Sequence, residues 1–120
     1  MKQKTRACVA YVAGNLFEKR NGGRIYDYAV SKYFDMTGTV EPDEIKIYDY
    51  SRSCGVAGKR KGDGYELYEF GSGEYITLTM KGDGFEGYDY EMAEYFSGTI
   101  EAGQITLYDN QHEDYFNYRL

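Results

Sequence analysis

Along residues 85–101 apolar and polar positions alternate. Phe85, Gly87 and Asp89 fall on one face of an extended chain, and Glu86, Tyr88 and Tyr90 on the other, because successive strand side chains point to opposite sides. A four-residue loop that sets Tyr90 against Tyr95 carries this parity into a second strand. Phe96, Gly98 and Ile100 then join the Phe85 face, while Tyr95, Ser97 and Thr99 join Tyr88. The same sorting groups Ile45 and Ile47 with Phe34, Met36 and Val40. It groups Leu67 with Ile76, Leu78 and Met80, and Ile105 and Leu107 with Phe116 and Leu120. One face is aliphatic or Phe; the other is Tyr, Thr, Ser and charge.

A repeat organises the alternation. The words IYDY (25–28), IYDY (47–50), LYEF (67–70), GYDY (87–90) and LYDN (107–110) recur about every twenty residues. Four turn-like residues follow each word. An aromatic-led pair then opens the next strand in four units: Tyr33-Phe34, Tyr75-Ile76, Tyr95-Phe96 and Tyr115-Phe116. The remaining unit has Gly55-Val56 instead. This period with two turns is one β-hairpin per repeat. KGDG recurs at 61–64 and 81–84 because the chain reverses there, with Asp63-Gly64 and Asp83-Gly84 as the expected turn pairs.

The predicted fold is all-β: an up-and-down antiparallel meander of about 10–12 strands in a single domain spanning 1–120. Residues 4–13 read as one or two further strands, with Cys8–Val12 pairing against Tyr115–Leu120 to close the sheet. A round barrel of this size is wider than its own side chains can fill. The expected form is therefore a flattened barrel or two-sheet sandwich. A hollow barrel with a cavity and an open sheet completed in a dimer are the alternatives.

Composition narrows the function classes. The chain has 120 residues with fifteen Tyr, six Phe, no Trp and a formal charge of −6. Its pI is about 4.8. Such a balance opposes general nucleic-acid binding, which needs clustered positive charge, and adsorption to anionic membrane. The N-terminal apolar run is too short and interrupted for a signal peptide, so a cytoplasmic location is expected. Cys8 and Cys54 suit that compartment as thiols, although one disulfide between them is compatible with the sequence.

Three groups of side chains are candidates for function. Tyr26, Tyr48, Tyr68, Tyr88 and Tyr108 take one outward position in all five units, with Tyr95 and the other turn-flanking tyrosines, such as Tyr28, Tyr33, Tyr50, Tyr75, Tyr90 and Tyr115, beside them. Tyr28–Tyr33 and Tyr90–Tyr95 are the expected cross-strand neighbours. Asp27, Asp49, Glu69, Asp89 and Asp109 fall on the inward face just before each turn, forming an acid ring at one mouth. Each such acid either caps its own turn or contributes to a cation site or polar gate. Arg52, Lys59, Arg60 and Lys61 are a candidate anion patch in the unit that lacks the aromatic pair.

No metal-ligand spacing, phosphate-cradling loop or nucleophile elbow is present, and His112 is the only histidine. The Tyr-Asp words at 26–27, 48–49, 88–89 and 108–109 resemble the YD repeats of large bacterial shell proteins, without the Gly-Arg that follows in those repeats. The resemblance implies hairpin repetition and nothing about activity. The expected function is non-enzymatic, without cofactor or metal: binding or scaffolding through the tyrosine-rich exterior, toward a protein or glycan partner or by self-association. The alternatives are a carrier of a small apolar ligand inside the barrel and an acidic decoy of a basic partner.

Overall fold

The computed structural model describes residues 1–120 and departs from the sequence expectation first at the N-terminus. Gln3–Glu18 form an α-helix, α1, and every residue from Thr5 to Asn15 is buried. The strand expected at Cys8–Val12 does not form. The run ACVAYVAG has no polar alternation to give it a wet face, and its alanines favour helix. A helix that is apolar on all sides belongs in an interior.

That interior is the lumen of a barrel. Ten strands follow: β1 (Arg24–Asp27), β2 (Lys32–Glu41), β3 (Glu44–Asp49), β4 (Cys54–Lys61), β5 (Gly64–Glu69), β6 (Glu74–Lys81), β7 (Gly84–Asp89), β8 (Glu94–Glu101), β9 (Gln104–Asp109) and β10 (Asp114–Arg119). Each pairs antiparallel with the next, and β1 closes onto β10 through Tyr26 opposite Arg119 and Asp27 opposite Tyr118. The molecule measures 30 × 29 × 28 Å. It is round, so the expected flattening does not occur. The lumen is too wide for the wall's side chains alone, and the barrel closes round α1 instead of collapsing. Ala7, Cys8, Val9, Ala10, Tyr11, Val12 and Ala13 share one core with inward residues such as Ile25, Met36, Ile45, Leu67, Leu78, Phe96 and Leu107.

Local geometry shifts two turn assignments. Lys61 pairs with Gly64 and Lys81 with Gly84, so the two-residue loops are Gly62-Asp63 and Gly82-Asp83, one residue earlier than expected. Gly62 and Gly82 take φ of 63° and 59°, the left-handed first position that favours glycine in a tight hairpin turn. At the other end Tyr88 faces Tyr95 and Tyr26 faces Tyr33, so the expected Tyr90–Tyr95 and Tyr28–Tyr33 pairs are displaced by two residues. A shift of two preserves every facing, because the side-chain period is two. Inward Gly87 and Gly98 have packing reasons: an added Cβ would meet the Thr77 carbonyl and the Phe96 ring at the first, and the Thr106 carbonyl and the Phe85 ring at the second.

α1 is fixed at both ends. Tyr11 Oη donates to Met36 O (3.3 Å) and accepts from Gly23 N (3.1 Å). Asn15 Nδ2 donates to Tyr11 O, and its Oδ1 accepts from Gly22 N at 3.0 Å. Glu18 Oε1 accepts from Gly103 N at 3.0 Å. These bonds tie the C-terminal end to the barrel end carrying the two-residue turns. The N-terminal end lies among the four-residue turns and the acids.

Candidate functional site

The acids come together at the barrel end that α1 plugs. Asp27, Asp49, Glu69, Asp89 and Asp109 are all buried. Each aspartate accepts from the backbone two residues on: Ala29 N (2.9 Å), Ser51 N (3.0 Å), Glu91 N (3.0 Å) and Gln111 N (3.1 Å) respectively. This is the Asx-turn geometry for which Asp has the right length. Glu69 is one methylene longer and reaches Arg52 Nη2 at 2.7 Å instead.

Cations from the plug and the rim balance the ring. Arg6 Nη1 lies 3.1 Å from Asp109 Oδ2, and the Met1 ammonium pairs with Asp109 and Glu94. Arg52 Nε reaches Asp49 Oδ2 at 2.8 Å, and its Nη1 donates to Thr5 Oγ1 at 3.3 Å. The first turn of α1 contains no acidic residue; the ring supplies the negative charge that a helix N-terminus favours.

The carboxyl pKa values follow from these contacts. Burial pushes Glu69 above the ordinary carboxylate range despite Arg52, and burial likewise raises Asp89. For Asp109 burial works upward, but His112 and the N-terminal ammonium outweigh it and hold the carboxyl low. No three His, Cys, Asp or Glu side chains converge as a metal-ligand set. The mouth's chemistry is turn capping and ion pairing that seats the helix.

The four basic residues do not form one patch. Arg52 turns into the mouth, whereas Lys59, Arg60 and Lys61 are exposed toward the far end of β4. Lys61 pairs there with Glu66 at 2.9 Å. Cys8 and Cys54 are free thiols. Burial drives the Cys8 thiol far above its ordinary pKa, which removes the reactive thiolate. Iodoacetamide is therefore expected to leave Cys8 unmodified in the native protein and alkylate it after unfolding, read by peptide mass. Rapid native labelling at Cys8 would show that α1 leaves the lumen.

The outer tyrosines form an aromatic belt round the barrel wall near the same end. In three units the central Tyr meets the aromatic two residues on and the one seven residues on; Tyr48 has only the first and Tyr108 only the second. Tyr26 lies 4.9 Å from both Tyr28 and Tyr33. Tyr68 lies 4.9 Å from Phe70 and 5.0 Å from Tyr75, and Tyr88 4.8 Å from Tyr90 and 4.7 Å from Tyr95. Tyr108 meets Tyr115 at 4.8 Å. Nearly all are edge-on, the arrangement the ring quadrupole prefers. Arg24 stacks over the Tyr33 ring at 4.0 Å.

The central rings thus hold the flanking rings in place, and the flanking rings face solvent. Tyr28, Tyr33, Tyr50, Phe70, Tyr75, Tyr90, Tyr95 and Tyr115 are 44–66% exposed, and among the central rings Tyr48 is 42% exposed. Phe70 was not singled out in the sequence because it breaks the Tyr-Asp-Tyr word, yet it sits in the same row as Tyr50 and Tyr90. Across the hairpins the second unit is the exception: Tyr48 packs on Tyr50 at 4.9 Å but faces Gly55.

No protein-family model matches this chain, and no curated protein and no solved structure matches it.

Proposed function

We infer that the protein is a non-enzymatic binding or scaffolding module, and that the aromatic belt is its contact surface for a protein partner. The observation that carries this reading is the band of half-exposed aromatic rings. A contiguous apolar surface of this kind marks an interaction site more often than scattered residues do. Tyrosine suits the role because each ring offers a large, stiff contact area and a hydroxyl.

The other two readings have less support. α1 fills the lumen that a carrier would need for its ligand. A decoy needs outward acid, but six of the twenty acidic side chains are buried against only Arg6 among the fourteen basic ones. With Arg52 also turned into the mouth, that leaves fourteen acidic and twelve basic side chains outside, close to balance.

The test is a triple substitution, Tyr75→Thr, Tyr90→Thr and Tyr95→Thr, which keeps β-forming residues on the wall. Affinity capture with quantitative mass spectrometry should show a partner retained by the native protein and lost by the variant. Unfolding free energy should fall by no more than about 1–3 kcal/mol, the worth of a few aromatic contacts. An unchanged set of captured proteins would overturn the reading.

A further inference from the structure

Across its hairpins the belt lacks one ring, and the other units show what fills that place. In four units a tyrosine on the second strand of the hairpin lies 4.7–5.0 Å from the central tyrosine. In the second unit that place belongs to Gly55, opposite Tyr48. Phe70 stands on the other side of the gap, since its N–H donates to Gly55 O at 3.1 Å. Between these two rings the wall opens into a groove of about 510 Å³, floored by Gly55 and Ala57 and continuing past Thr37, Thr39 and Lys46. This lies within the usual size range of ligand sites. Lys46 is exposed and forms none of the protein's ion pairs.

Building on the belt as the contact surface, we propose that this groove receives a tyrosine side chain of a partner polypeptide, with an adjacent carboxylate of that partner meeting Lys46. The ring follows from the protein's own packing: Tyr48 lacks the cross-strand phenol that Tyr26, Tyr68, Tyr88 and Tyr108 each have. The carboxylate follows from charge complementarity with the free ammonium at the groove. The glycine floor is what opens the site. A Cβ built on Gly55 would stand in ordinary contact with Phe70 Cδ2 at 3.6 Å and Ile47 O at 3.7 Å, so the backbone has room for a side chain that the sequence omits.

The test titrates ¹⁵N-labelled protein with acetyl-Tyr-Asp-amide, acetyl-Tyr-Lys-amide and 4-hydroxyphenylacetate. Saturable amide shifts at Gly55, Ala57 and Phe70 are expected with the Tyr-Asp probe, and weaker ones with Tyr-Lys. Lys46→Gln should abolish the difference between the two peptides while leaving the spectrum otherwise native. Gly55→Tyr, which completes the belt with the chain's own ring, should abolish the shifts, with an unchanged or higher melting temperature. Absence of saturable shifts at the groove, equal shifts at the Tyr68 and Tyr88 clusters, or binding that survives Gly55→Tyr would each overturn the proposal. Tighter binding of 4-hydroxyphenylacetate than of the Tyr-Asp probe would overturn the polypeptide source. The Tyr75, Tyr90 and Tyr95 triple variant keeps the groove intact. If it loses its captured partner while the groove stays silent to every probe, the belt reading stands and the groove proposal falls.

Discussion

Replacing Tyr11 with alanine is expected to lower the unfolding free energy by about 3–5 kcal/mol, the cost of emptying a fully buried aromatic site. Tyr11 is 0% exposed, and its ring stands between α1 and the start of the barrel. The hydroxyl also joins Gly23 N to Met36 O, so the truncation removes packing and leaves two backbone groups without that partner. Tyr11→Phe separates the contributions, and a smaller loss of about 1–3 kcal/mol is expected for the orphaned polar groups alone. Chemical denaturation followed by circular dichroism measures both. The barrel cannot collapse further to fill the space, because ten paired strands already set its girth. An alanine variant as stable as the native protein would mean that α1 is not the core of the folded state in solution.

A loss of similar size, about 3–5 kcal/mol at neutral pH, is expected for Arg52→Met, since removing one partner of a buried ion pair leaves uncompensated charge behind. Arg52 holds Asp49 at 2.8 Å and Glu69 at 2.7 Å and touches α1 at Thr5. The loss should depend on pH. The folded pKa of Glu69 is already raised by burial, so its contribution to stability is present below the unfolded pKa and declines as pH rises through the folded one. Without Arg52 that folded pKa rises further. The gap between native protein and variant should therefore narrow as the pH is lowered from about 7 toward about 5.

Asp109 acts in the opposite sense. Its folded pKa is lowered, so its stabilisation is present above the unfolded value and is lost as pH falls through the folded one. That term is common to both proteins and cancels in the comparison. A gap that stays constant with pH would show that Arg52 acts through packing alone. Adding Glu69→Gln to Arg52→Met should recover part of the loss at neutral pH.

Much of the wall was legible in the chain. Alternation sorted Phe85, Phe96 and Ile100 inward and Tyr88 and Tyr95 outward, because a half-buried strand must obey a period of two. The twenty-residue word set the number of hairpins, and the Tyr-Phe pair missing at Gly55-Val56 marked the unit where the belt opens. Turn positions were legible only to within a residue or two. Whether KGDG turns on Gly62-Asp63 or Asp63-Gly64 depends on cross-strand pairing, which short-range sequence constrains only through parity.

What the sequence by itself determined is the wall strands, their facings, the repeat and the placing of an acid before every four-residue turn, all consequences of local chemistry at fixed spacing. Only the tertiary structure decided the fate of the first eighteen residues. A short run such as ACVAYVAG, apolar throughout, satisfies a buried strand or a buried helix equally well by pattern. The choice falls to helix because a ten-strand barrel needs a filling for its lumen, and a helix satisfies its own backbone hydrogen bonds there while a lone strand would not. The same choice turns the acid ring into the seat for a helix N-terminus and for Arg6. It also leaves the aromatic belt and the groove at Gly55 on the outer wall, open to solvent.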